Sequence, residues 1–197
     1  MKEFTVPMAL ADLIPVVLYL IGVIVLYRKV CPKMSRGIFV LFAAGTVDVT
    51  AAGALKALYK LLYALGVCDF EALSELFMPL QALGFLLAGI AMVLFVFGRK
   101  KQTLLLAAPP LFGGTIVFIV MMVLGLAAVN VSLAVLAARE KKRGAVILFL
   151  VSLLCSVCMG YLSSQDFAQA AMNWLAEGVN IAGQGTFLLG AISLCRK

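Results

Sequence analysis

Few side chains in this chain could do chemistry, and most of them sit inside apolar runs. Asp48 is the clearest case, about 16 Å along a helix from Gly37 and therefore near the middle of a bilayer. An ionisable group at that depth costs about 2.5–3.5 kcal/mol on insertion scales, so it is expected to face the bundle interior. Two readings stand for it: a proton- or cation-binding carboxylate, or a hydrogen-bonded acid that clips helices together. Ala44, Asp48, Ala52, Lys56 and Lys60 recur at steps of four along the same segment. Lys56 and Lys60 fall toward its far end, as lipid or anion contacts or as snorkelling side chains.

Glu177, Asn180 and Gln184 follow i, i+3, i+7 spacing and form one polar stripe. Facing lipid, that stripe would leave its amides unsatisfied, so it is expected to line a wet cavity or to bond neighbouring helices. Asp12, Tyr19, Gln81, Asn130, Ser132 and Tyr161 add polar groups at outer or middle depth, a pattern that points to a vestibule open to the outside; of these Tyr19, Gln81, Asn130 and Tyr161, with Lys56 and Lys60, complete the candidate binding set. The chain has no histidine, which removes histidine-ligated metal and haem sites and histidine triads, and no cofactor is expected. An acid–base pair would have to come from carboxylates such as Asp12 and Glu177. Cys155-x-x-Cys158 has the spacing of a redox pair, but its place in the middle of an apolar run favours helix packing.

Positioning these groups requires membrane-spanning helices. Of 197 residues, 64% are hydrophobic and 13% charged, and mean hydropathy is +1.14. A globule this small cannot hide that much apolar surface, so the natural solvent is lipid. The net charge of +7 sits in short clusters between apolar runs, which argues against nucleic acid as a partner. With about 20 apolar residues per crossing, spans are predicted at 10–27, 37–63, 76–97, 103–120, 121–138, 144–162 and 174–194 of one polytopic domain, 1–197. Met1–Pro15 does not read as a cleaved signal, because Asp12 interrupts its apolar run.

The stretch 103–138 carries no charge, and how it is divided fixes the topology. One helix there would place the basic clusters at 99–101 and 139–143 on opposite sides, against the positive-inside rule. Two short helices, with a break at Pro109-Pro110 and an apolar turn near Val120–Gly125, place both clusters inside. The expected fold is thus an all-α, seven-transmembrane-helix bundle with its N-terminus outside and its C-terminus inside, multi-pass in the cell membrane. A single span, or a re-entrant loop at 103–114, is the alternative. Segment 67–77 reads as a short interfacial helix.

Arg36-Gly37 with Leu41-Phe42 is echoed by Arg143-Gly144 with Leu148-Phe149, and Phe85–Ile90 is echoed by Phe187–Ile192. Both echoes lie four predicted spans apart, which would make a parallel repeat of three helices joined by a fourth. That plan resembles the three-plus-one-plus-three architecture of SWEET and PQ-loop transporters and of microbial rhodopsins. No Pro-Gln pair occurs, however, and the last span has no lysine for a retinal Schiff base, so the resemblance is architectural and no specific family is recognised.

The leading functional expectation is a transporter of a small molecule or ion, with a midplane site built from Asp48, Asn130, Asn180 and Gln184, and with Asp48 as the proton carrier if transport is proton-coupled. The alternatives are a receptor or sensor for a lipidic or amphipathic ligand, and a membrane-embedded lipid-modifying enzyme. The expected partners are the lipid bilayer and a small-molecule, ion or lipid ligand. Gly45, Val49 and Gly53 form a small-residue face suited to a homodimer or to packing within one bundle.

Overall fold

The computed structural model describes residues 5–98, 115–162 and 170–196, and within them the chain is helical, with no strand. The first helix, α1 (Val6–Ala11), is followed at once by α2 (Leu13–Lys29). Pro15 explains the interruption at Asp12: it has no N–H to return to the Ala11 carbonyl, so the helix is broken one turn earlier. A single 3-10 turn (Cys31–Lys33) leads to α3 (Arg36–Ala64), and then come α4 (Glu71–Phe97), α5 (Thr115–Arg139), α6 (Arg143–Leu162) and α7 (Ala170–Cys195). Five segments are long and apolar enough to cross a membrane: Val6–Lys29, Arg36–Ala64, Glu75–Phe97, Val117–Arg139 and Met172–Cys195. The apolar part of α6, Arg143–Met159, is shorter. This is a multi-pass membrane protein.

The helices form a closed ring in which α3 packs on α4, α4 on α5, α5 on α6, α6 on α7 and α7 on α2, with a lighter contact between α2 and α3. Inside the ring lie Leu26, Phe42, Phe85, Met92, Leu133, Phe149, Phe187 and Leu194, all buried. Outward-facing Ile14, Val17, Ile21 and Ile24 of α2, with Ile147, Leu150, Leu154 and Val157 of α6, are exposed as a lipid-facing surface must be.

The division of 103–138 is corrected by the structure. Helix α5 runs unbroken from Thr115 to Arg139, so the turn predicted near Val120–Gly125 is absent, and the described residues hold five helices of spanning length with the shorter α6 rather than seven spans. Residues 99–114, with the expected break at Pro109-Pro110, lie outside the described residues. Gly125 is a contact rather than a turn. A Cβ there would sit 2.3 Å from the Phe85 carbonyl carbon, so α4 and α5 touch backbone to backbone. The two helices run parallel: Gly125 meets Phe85, and Arg139 Nη1 donates to the Val96 carbonyl at 2.9 Å. The C-terminal ends of α4 and α5 therefore lie together. The predicted interfacial helix at 67–77 is also corrected, since from Glu71 onward it is the continuous start of α4.

Two helix ends share one closing motif. Gly66 N–H bonds to Tyr63 O and Val67 N–H to Leu62 O after α3, while Lys141 N–H bonds to Ala138 O and Lys142 N–H to Ala137 O after α5. The residue in the left-handed region is glycine in the first case (φ 67°) and lysine in the second (φ 60°). A side chain there costs about 1–2 kcal/mol. That strain holds Glu140 and Lys142 on either side of a tight turn.

Candidate functional site

The ends of the ring differ in charge chemistry. At the basic end, Lys29 Nζ of α2 donates to Glu140 Oε2 at 2.9 Å and also to the Leu194 carbonyl of α7. Lys142 Nζ donates to the Leu194 and Arg196 carbonyls at 2.8 and 2.5 Å, and lies 3.5 Å from Glu140 Oε2. One carboxylate and two ammoniums thus tie α2, the α5–α6 turn and the end of α7 together. The hydrogen bond from Lys29 is the main reason that the Glu140 carboxyl titrates below its ordinary value of 4.5. A depressed carboxyl contributes stability above its unfolded-state value and loses it as pH falls through the folded value. Glu140→Gln should therefore lower stability at neutral pH by about 1 kcal/mol and flatten the acid limb of a thermal-unfolding profile below about pH 4.5. An unchanged acid limb would show that the pair carries no such contribution.

At the opposite end the ring is open. A half-open cavity of about 60 Å³, room for a few water molecules, is walled by α2, α3, α4 and α7. Its polar lining comes from Asp12 and Tyr19, from Thr50 and Lys56, from Gln81, and from Glu177, Asn180 and Gln184. Pro15, Val16, Val49, Phe77 and Phe85 supply apolar wall. The interruption in regular helix at Asp12 falls here too, and Pro79 lies inside α4 between the lining residues Phe77 and Gln81.

Behind the lining, Lys60 Nζ lies 2.5 Å from Asp12 Oδ2 and 3.7 Å from Glu177 Oε1. All three side chains are nearly buried, at 7%, 4% and 6% exposure. Asp12 Oδ1 and Glu177 Oε2 are buried without a hydrogen-bond partner among the described residues. Lys56, one turn before Lys60, instead rests its ammonium 4.6 Å from the centre of the Phe77 ring. Tyr19 closes the floor, stacked on Phe187 at 5.5 Å and edge-on to Phe85 at 6.1 Å.

The structure brings together Tyr19, Lys56, Gln81, Glu177, Asn180 and Gln184 of the sequence-predicted set, with Lys60 joined to them through Glu177. Asp48 is not with them. It is half-buried against Gly84 of α4 and does not line the cavity. Steps of four advance about 40° around a helix each time, so Asp48 and Lys60 end up on different faces although neighbouring members of the row are close. Asn130 is buried in the core at 2% exposure, where its Nδ2 donates to Leu126 O of its own helix at 3.0 Å. Tyr161 lies on the exposed surface of α6 at 68%. Asp12, counted in the sequence among the polar groups of an outer vestibule but not in the binding set, lines the cavity. Pro15 three residues on was the signal that the helix breaks there and presents it.

The small-residue face of α3 is used within the chain: Gly45 meets Gly84 and Ala88, and Gly53 meets Val16. Cys155 packs beside Gly183, and the described cysteines are all free thiols. Among the described residues no cluster of acids and cysteines could hold a metal ion. No protein-family model matches the chain, and neither the curated proteins nor the solved structures searched contain a match.

Proposed function

We propose that the protein is a membrane transporter of a small polar solute, with its site in the cavity at the ring end opposite the basic cluster. The observation that carries this reading is the convergence of Asp12, Lys56, Gln81, Glu177, Asn180 and Gln184 from four helices on one water-sized space. Burying two carboxylates and an ammonium costs several kcal/mol per ion before their attraction repays it. A packed bundle would gain nothing by placing them beside a cavity. The carboxylates at Asp12 and Glu177 replace Asp48 as the groups that would carry a proton.

Positive-inside charge places the basic end in the cytoplasm and the cavity facing out of the cell membrane. The ion cluster of Lys29, Glu140 and Lys142 then closes the inner end. Two contacts favour a parallel repeat of α2–α4 with α5–α7. Gly22 of α2 meets Phe187 and Leu188 of α7, and Gly125 of α5 meets Phe85 and Leu86 of α4. Phe85 and Phe187 hold matching places in one sequence echo, and Phe42 and Phe149, matching members of the other, are both buried. Two similar halves meeting at Tyr19 would let one rock against the other and open the inner end.

The experiment is an untargeted flux assay. Proteoliposomes are loaded with a defined mixture of amino acids, organic acids, amines and nucleosides, and efflux is followed by mass spectrometry. At least one solute should leave faster than from protein-free vesicles, and Glu177→Gln should slow that solute by tenfold or more. If no solute crosses, the transporter reading falls. The closed inner end specifically favours a second reading, a sensor that binds its ligand from outside without moving it.

A further inference from the structure

Resting on the solute-site reading above, we propose that the cavity takes a small organic carboxylate together with one proton, the anion on Lys56 and the proton on the Asp12–Glu177 pair. The charges divide the site into two poles. Lys60 is engaged by both carboxylates, whereas Lys56 lines the cavity with its ammonium against the Phe77 ring and, among the described residues, no carboxylate within ion-pair distance. A contact of that kind is worth about 0.5–2 kcal/mol and yields readily to a carboxylate. An ionised carboxylate accepts through about four lone-pair sites, and the amide groups of Gln81, Asn180 and Gln184 can donate to it from α4 and α7. Val16, Val49 and Phe85 face the remaining space and suit a short hydrocarbon or aromatic body.

The proton follows from the charge balance. Counted with all four groups ionised, Asp12, Glu177, Lys56 and Lys60 sum to zero, and Tyr19 is the other titratable side chain in the lining. An added carboxylate would leave one uncompensated negative charge in a poorly hydrated space, which is costly. Protonating one of the paired carboxylates removes that excess. Its O–H then donates toward the other acid, where Asp12 Oδ1 and Glu177 Oε2 are buried without hydrogen-bond partners among the described residues. Anion and proton therefore favour each other's binding, and the coupling is reciprocal.

Calorimetry on the purified full-length protein tests this, with benzoate and benzylamine as probes. Benzoate should bind with uptake of about one proton, counted by repeating the titration in buffers of different ionisation heat. Its affinity should rise about tenfold per pH unit toward acid, the slope of one linked proton. Lys56→Gln should abolish binding, Lys56→Arg should restore it in part, and Glu177→Gln should remove the pH slope. Benzylamine binding in place of benzoate would overturn the carboxylate assignment, and benzoate binding without proton uptake would overturn the coupling. If the flux assay finds a carried solute but benzoate does not bind, the ligand class is wrong and transport stands. If benzoate binds through Lys56 with its proton while no solute crosses, the anion site stands and transport falls.

Discussion

Lys60→Met should destabilise the folded protein by about 3–5 kcal/mol, because it leaves two buried carboxylates facing each other with no ammonium between them. Lys60 is 7% exposed and within ion-pair distance of both Asp12 and Glu177. Reversible unfolding in mixed micelles would measure the loss. The triple variant Asp12→Asn, Lys60→Met, Glu177→Gln should regain most of it, since a fully neutral cluster carries no stranded charge. Recovery in the triple variant distinguishes charge stranding from mere loss of packing around the lysine stem. A Lys60→Met protein as stable as the wild type would show that the cluster is hydrated and open, contrary to its burial.

Gly125→Val should be comparably severe for a steric reason. A side chain there would overlap the Phe85 carbonyl carbon and oxygen and the Leu86 nitrogen, at 2.3–2.6 Å, and backbone cannot swing aside as a side chain can. Overpacking ordinarily costs about 1–3 kcal/mol, and parting two helices along their length should bring the loss to about 3 kcal/mol or more. Gly37→Ala is the control: nothing lies within 4 Å of the added carbon, so stability should hold or rise slightly through better helix propensity. The same unfolding assay reads both variants, and equal effects would dismiss the close α4–α5 contact.

Gly125 also shows where sequence reasoning stops. Among apolar neighbours a glycine signals either a turn or a close approach of two backbones, and the residues on either side are the same in both cases. Only the partner helix decides, and Phe85 is far away in the chain. The placement of charge was more legible. Grouping both basic clusters at one end required α4 and α5 to run parallel, and the contact of Arg139 with Val96 shows that they do. The polar row of α7 was legible for the same reason that it works: amides at helical spacing cannot face hydrocarbon, so Asn180 and Gln184 had to find a cavity or a partner.

Asp48 misled because depth is easy to count along a helix and facing is not. A row at steps of four drifts around the axis, and by Asp48 it has left the face that carries Lys56 into the cavity. Asp12 was legible as a polar group of the outer half, but not as a partner of Lys60. It lies near the start of an apolar run, where a charge looks peripheral, and its role depends on the break that Pro15 imposes and on a lysine of α3. Ion clusters assembled from three helices leave no spacing rule in a single sequence.

The most direct measurement is the accessibility of Gln184, the deepest member of the α7 polar row. In a variant with its native cysteines replaced, Gln184→Cys is exposed to a membrane-impermeant thiol reagent from each side of oriented vesicles. A carrier whose inner cluster opens gives modification from both sides, with Glu140→Gln speeding the reaction from the basic side. Modification from the cavity side alone, unchanged by Glu140→Gln, would contradict alternating access.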